Sequence, residues 1–291
     1  MIHSPPSIFH LPMSSPDLTA AEIEAVNQVL RTPYLSIGPR VAEFEECFAA
    51  YVGTRHAVGV ANGTCGLHLC IIAAGVSEGD PSGLSPSGRS LVITTPFSFV
   101  ASANVILYER AIPIFVDVDE RTGNIDPTLV AEAVETLTKD EGRTTDSRWL
   151  PPALRRSSVV VRRPKAILPV HAFGQPADMD AINAVAREYG LAVIEDACEA
   201  LGAEYKGHRI GSSLPSSPFP LPLSTVFAFY PNKQMTTGEG GMIVTDRDDW
   251  DALFRSLRNQ GRDVFDAWLN HSRLGYNYRL DEMSAALGLA Q

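Results

Sequence analysis

"FAFYPNKQMTTGEGGMIVTD", residues 227–246, holds the reading on which the fold turns. Val226, Phe227 and Phe229 on one side, and Met242, Ile243 and Val244 on the other, read as two short buried strands. Between them a glycine-rich turn carries one lysine, Lys233. Lysine is rarely fully buried and its ordinary place is the solvated surface. An amine at the end of a buried strand therefore needs a reason.

Working outward, short β-branched runs recur at "HAVGVA" (56–61), "SLVITT" (90–95), "IPIFVDV" (112–118), "KAILPV" (165–170) and "LAVIED" (191–196), with amphipathic stretches between most of them. This alternation predicts an α/β fold with crossover connections and a mainly parallel sheet covered by helices on both faces. In such sheets function gathers at the carboxyl ends of the strands. Asn62 to Thr64, His171, Asp196 and Lys233 all fall there.

Upstream, Thr19 and Glu22 form a capping-box pair, with Ile23, Val26 and Leu30 following at helical spacing. A second helix begins at Pro39, lines one face with Val41, Phe44, Phe48 and Tyr51, and ends at Gly53. "DEMSAALGLAQ" at the end of the chain reads as helix. Residues 80–90, 138–164 and 212–224 are rich in proline, serine or charge and read as surface loops.

With 291 residues, 45% of them hydrophobic and 20% charged, the chain has globular composition. Its net charge of −10 argues against nucleic acid, whose binding rests on lysine and arginine neutralising phosphates. Cys47, Cys65, Cys70 and Cys198 form no CxxC pair, which suits a reducing cytoplasm. The start shows no secretory pattern and no stretch reads as membrane-spanning, so a cytoplasmic protein is expected. The seven histidines show no metal-ligand spacing, and no GxGxxG follows the first strand, which sets a metal hydrolase and a Rossmann-type dehydrogenase low.

Four local patterns surround Lys233, each with two readings. The "ANGTCGLHL" turn can cradle a phosphate at a helix N-terminus through Gly63 and Thr64, or be an ordinary capped turn. Glu195 and Asp196 end an apolar strand, where a carboxylate needs a partner; Asp196 can face a protonated ring nitrogen or serve as an N-cap. Phe97 and Phe99 can present a ring face to a flat heteroaromatic group or pack in the core. His171 can act as a catalyst or as a structural hydrogen bonder. Together, a phosphate cradle, a stacking ring, a carboxylate and an amine match pyridoxal 5'-phosphate, whose aldehyde forms a Schiff base with lysine.

The chain resembles the DegT/DnrJ/EryC1/StrS family of pyridoxal phosphate-dependent sugar aminotransferases, with the aspartate-aminotransferase type I fold. The motifs "NGTCGLHL", "TPFSFVASAN", "IFVDVD", "PVHAFGQPADMDAI", "VIEDACEALGAEYKGHRIGS", "FAFYPNKQMTTGEGGMIVTD" and "LGYNYRLDEMSAALGLAQ" carry the resemblance, from about Leu11 to Gln291. It implies that Lys233 bonds to the cofactor, Asp196 pairs with its ring nitrogen, and Phe99 stacks on the ring. It further implies that Gly63, Thr64 and Cys65 belong to the phosphate turn and that His171 lines the pocket wall. Glu199 takes a place where many members have glutamine near the cofactor hydroxyl. Asn277 matches a loop that reaches the cofactor of a neighbouring subunit, so a homodimer with shared sites is implied. Ala228 departs from the family, many members having a serine ligand to the phosphate there.

The resemblance implies a large cofactor-binding domain over 19–255, preceded by an extension at 1–18. Residues 256–291 would begin a carboxy-terminal portion whose small domain is missing. The implied reaction moves an amino group from L-glutamate to a nucleotide-linked keto-deoxy sugar, for a surface polysaccharide or a secondary metabolite. Two alternatives are weighed: a truncated, non-catalytic protein of this fold, and a sugar dehydratase, against which Lys233 argues because such relatives carry histidine in place of the lysine.

Overall fold

The structure is a computed structural model describing residues 14–76, 88–140, 147–155, 161–212, 223–263 and 270–291. Most of the N-terminal extension and much of the three anticipated loops lie outside the described residues. In chain order the elements are α1 (Ala20–Leu30), α2 (Pro39–Val52), β1 (His56–Val60), α3 (Gly63–Ala73), β2 (Arg89–Thr94), α4 (Ala101–Tyr108), β3 (Ile112–Phe115) and α5 (Pro127–Lys139). There follow β4 (Val161–Ile167), α6 (Met179–Tyr189), β5 (Ala192–Asp196), β6 (Glu204–Tyr205), β7 (His208–Arg209), β8 (Leu223–Ala228), β9 (Gly241–Thr245), α7 (Asp248–Arg258) and α8 (Glu282–Ala290).

Seven strands form one sheet in the order β1-β9-β8-β5-β4-β2-β3. The pairs from β8 to β3 are parallel, and β9 runs antiparallel to both β8 and β1. This agrees with the mainly parallel sheet expected from the alternation of strands and helices. Beyond Lys233 the glycine-rich turn folds β9 back antiparallel beside β8, pairing Thr225 with Val244 and Ala228 with Gly241.

Alternation along the strands divides the core. Val92, Ala166, Ile194, Val226 and Ile243 face α3, α4 and α7. Ile93, Ile167 and Val193 face α5 and α6, while Phe227, Met242 and Val244 meet Phe44 and Phe48 of α2. Adjacent residues of one strand point to opposite faces, so β5 sends Asp196 toward the α4 side and Glu195 toward the other.

The helix signals hold locally and differ in what they bury. Glu22 accepts the backbone N–H of Thr19 at 2.6 Å, and the Thr19 hydroxyl accepts that of Ala21 at 3.2 Å, completing the capping box. Ile23 and Leu30 are nevertheless 60% exposed, and among the apolar residues of α1 only Val29 is buried. In α2, Val41, Phe44 and Phe48 are buried as expected, but Tyr51 lies outward beneath the Arg209 guanidinium, 4.2 Å from its ring centroid. Strand β4 starts four residues before the "KAILPV" run and ends at Ile167, because Pro169 cannot continue the ladder. Beyond it, Val170 makes only a single bridge to Asp196.

A buried ionic cluster fixes the β1 edge of the sheet. Glu45 of α2 accepts from the Gly59 backbone at 2.9 Å, from Arg255 at 2.7 Å and from Arg258, which is 5% exposed. The end of α7 also holds the segment around Asn277. Leu257 and Arg258 accept the backbone N–H groups of Tyr276 and Tyr278 at 2.7 and 2.9 Å.

Candidate active site

The carboxyl ends of β1, β2, β4, β5 and β8 open on one cleft of about 820 Å³, within the usual range for a small-molecule site. Its wall contains Gly63, Thr64, Phe97, Phe99, His171, Asp196, Glu199 and Lys233. Residues far apart in sequence meet there because the parallel strands end on the same side.

Lys233 follows β8 in a tight turn, its N–H bonded to the Tyr230 carbonyl at 2.9 Å. The turn closes over Phe229, which is fully buried against Phe44 and Phe48, so the lysine stands on a rigid base. Its side chain is only 15% exposed, and its amine donates to Glu199 Oε1 at 3.0 Å. The amine is thus neither solvated surface nor free.

Asp196, 6% exposed, accepts the Ser102 hydroxyl on Oδ2 at 2.7 Å and the Cys198 N–H on Oδ1 at 3.2 Å. It therefore caps the turn that follows it and also lines the cleft. Cys198 sits against it, and burial with the neighbouring carboxylate holds that thiol well above its usual pKa. Burial likewise raises the Cys65 thiol to about 11, which keeps both sulfurs protonated at neutral pH.

Helix α3 is capped by Asn62, whose side chain accepts the Cys65 N–H at 2.9 Å. Gly63 and Thr64 line the cleft at this helix N-terminus, whereas Cys65 is not among the lining residues. A Cβ at Gly63 would lie 2.8 Å from both Ala228 Cβ and Cys198 Sγ, so only glycine lets the turn sit this close to β8. Ala228 lines the same region and offers no hydroxyl.

Phe99 stands 79% exposed on the cleft. His171 is buried with both ring nitrogens engaged, Nε2 against Glu195 at 2.8 Å and Nδ1 accepting the Ala177 N–H at 3.1 Å. Since Nδ1 accepts, Nε2 carries the hydrogen and donates it to Glu195. Asn277 is not among the residues lining this cleft, and its backbone bridges to that of Asn259.

Sequence reading missed Ser102 and Asn124. Ser102 lies three residues past Phe99, on the first turn of α4, and points at Asp196 only because α4 packs on the β5 side of the sheet. Asn124 sits in the turn after β3 and meets the His171 loop through tertiary contact alone. Nothing local marks either residue.

The donor set fits pyridoxal 5'-phosphate. A helix N-terminus suits its phosphate, a buried carboxylate its ring nitrogen, an exposed aromatic face its ring, and a shielded amine its aldehyde. A fold of this type with such a site belongs to the fold type I transferases.

Residues 16–291 match the DegT/DnrJ/EryC1/StrS aminotransferase family. The chain belongs to this family of pyridoxal phosphate-dependent enzymes. It is 38% identical over 280 residues to GDP-perosamine synthase of Caulobacter vibrioides, covering 96% of this chain and 63% of that protein. Its fold is similar to Helicobacter pylori PseC, an aminotransferase of pseudoaminic acid biosynthesis, with a TM-score of 0.76, 28% identity and coverage of 96% and 64%. It is also similar to DesI, solved in the presence of its TDP-sugar product, with a TM-score of 0.71, 32% identity and coverage of 95% and 58%. The chain spans about 63% of the length of the curated relatives it matches. Among the described residues, no helix is long and apolar enough to cross a membrane.

Proposed function

We propose that this chain binds pyridoxal 5'-phosphate and transfers an amino group from L-glutamate to a nucleotide-linked keto-deoxy sugar. The observation that carries the proposal is the Lys233 amine, shielded in the cleft and facing Glu199, with Asp196 and the α3 N-terminus on the same wall. The relatives' names support a sugar nucleotide as acceptor.

When bound, the cofactor supplies an electron sink for breaking a C–H bond beside the amino group. Lys233 would hold the cofactor's aldehyde at Nζ and would serve as the base that moves a proton at the substrate carbon. Asp196, oriented by Ser102 and the Cys198 N–H, keeps a proton on the ring nitrogen. Gly63 and Thr64 bind the phosphate at the positive end of α3, without the serine hydroxyl that Ala228 replaces. Phe99 covers one ring face and excludes water there. Glu199, which accepts from the Lys233 amine, orients it and would lie near the cofactor hydroxyl. His171 holds the wall, its nitrogens being committed to Glu195 and Ala177.

Asn277 does not line its own subunit's cleft, which is consistent with a homodimer in which it reaches the partner's site. Mixing Lys233→Ala with Asn277→Ala chains restores activity in heterodimers on this reading; no recovery removes it.

The test of the whole reading is an absorbance spectrum of the purified chain with pyridoxal 5'-phosphate, before and after L-glutamate, beside Lys233→Ala. A visible band that bleaches with glutamate in the parent alone supports it. A folded protein without a band points instead to a non-catalytic protein of this fold.

A further inference from the structure

Phe173 stands at the mouth of the cleft, 81% exposed, in the left-handed backbone region with φ of 53° and ψ of 27°. Bulky side chains rarely adopt this conformation, and it persists only where the surroundings impose it. Here they do. Asn124, 3% exposed, accepts the Ala172 N–H at 3.0 Å and donates to the carbonyls of Gln175 and Pro176 at 2.9 and 3.1 Å. Glu199 Oε2 accepts the Phe173 N–H at 3.2 Å. Gly174, with φ of 84°, passes so close that a Cβ would lie 2.9 Å from the Glu199 carbonyl, which also accepts from Gln234.

All this order holds up a ring that is not itself buried. The Phe173 ring meets the Phe97 ring in a T-shaped contact, with centroids 5.9 Å apart and planes at 71°. Phe97 is 48% exposed and rests beside Gly123, where a Cβ would lie 3.5 Å from its ring. Core packing does not explain an aromatic pair so fixed in backbone and so open to solvent.

We propose that Phe173, buttressed by Phe97, is the platform for the apolar face of the acceptor's sugar ring and selects for deoxygenated ring substituents. This rests on reading the cleft as an amino-acceptor site. The Phe173 N–H and the Lys233 amine bind the two oxygens of one carboxylate. That places Phe173 beside the reacting centre, where the sugar must lie, and leaves the nucleotide base farther out. A methyl group on the sugar buries apolar surface against the ring. A hydroxyl in the same place loses water and gains no partner. Apolar surfaces reject an added hydroxyl only modestly, about tenfold to a hundredfold.

The test is calorimetric titration of the full chain with dTDP-glucose, dTDP-6-deoxyglucose, GDP-mannose and GDP-6-deoxymannose. The parent is compared with Phe97→Ala and with Phe173→Asn, which tolerates the left-handed backbone. The parent binds one 6-deoxy compound at least tenfold more tightly than its hydroxylated counterpart. In Phe173→Asn that difference vanishes while the melting temperature stays within a degree or so, as replacing an exposed ring implies. Phe97→Ala gives an intermediate result.

A difference that survives in Phe173→Asn overturns the proposal, as does a melting temperature that drops while binding stays the same. Equal binding of the two sugars by the parent overturns it too and leaves the aminotransferase reading standing. If the parent's cofactor band responds to glutamate but none of the four compounds binds, the sugar-nucleotide reading fails, and this proposal with it.

Discussion

The Ser102 hydroxyl donates to Asp196 Oδ2 across 2.7 Å, at a position 1% exposed to solvent. Ser102 in turn lies 2.7 Å from the Ser98 hydroxyl, so the carboxylate is held at the inner end of a short hydroxyl chain. A hydrogen bond to a charged group contributes about 1.5–3 kcal/mol. Ser102→Ala is expected to weaken cofactor binding by about tenfold to a hundredfold. Spectrophotometric titration with pyridoxal 5'-phosphate reads this directly; an unchanged dissociation constant would show that Asp196 needs no such support.

Asn124 joins the turn after β3 to the loop after His171 through three hydrogen bonds. Leaving buried partners unpaired costs about 1–3 kcal/mol each. Asn124→Ala is expected to lower stability by about 3 kcal/mol. Urea unfolding gives the value, and a shift in midpoint with an unchanged slope identifies a native-state effect.

Glu45 is the acceptor around which Arg255, Arg258 and the Gly59 amide converge. Removing one partner of a buried ion pair costs about 3–5 kcal/mol, because the other charge stays buried. Glu45→Ala should fall in this range. The double change Glu45→Met with Arg258→Met should recover much of the loss. A double variant no better than Glu45→Ala would show that the cluster acts mainly through shape.

The Thr19 hydroxyl, with backbone N–H groups, pulls the Glu22 carboxyl from the usual 4.5 to about 2. A carboxyl lowered on folding stabilises the protein above its unfolded value, and the effect is lost as pH falls through the folded value. Stability tied to Glu22 should therefore be complete above about pH 4.5 and vanish toward pH 2. Melting curves of Glu22→Gln and the parent should converge over that window. Parallel curves down to pH 2 would contradict it.

Much of the fold was legible along the chain because its signals are local. The Thr19–Glu22 capping pair, Pro39 and Gly53 at the ends of α2, and the β-branched runs all act within a few residues of themselves. The edges of β4 were less legible, since Pro164 sits inside the strand, paired with Leu91 between two shifts of register. The outward faces of Ile23, Leu30 and Tyr51 were not legible either. Helical spacing shows that residues share a face but not what that face meets.

The sequence by itself determined the mainly parallel sheet and set Asp196, His171 and Lys233 at strand ends, because strand periodicity and turn chemistry are properties of neighbouring residues. Only the tertiary structure decided which atoms they meet. It put Ser102 on Asp196, Glu195 on His171 and Glu199 on both Lys233 and Phe173. Those pairings depend on which helix packs on which face of the sheet, and on loops from separate strands arriving at one edge. They are made across long stretches of chain, where no local pattern records them.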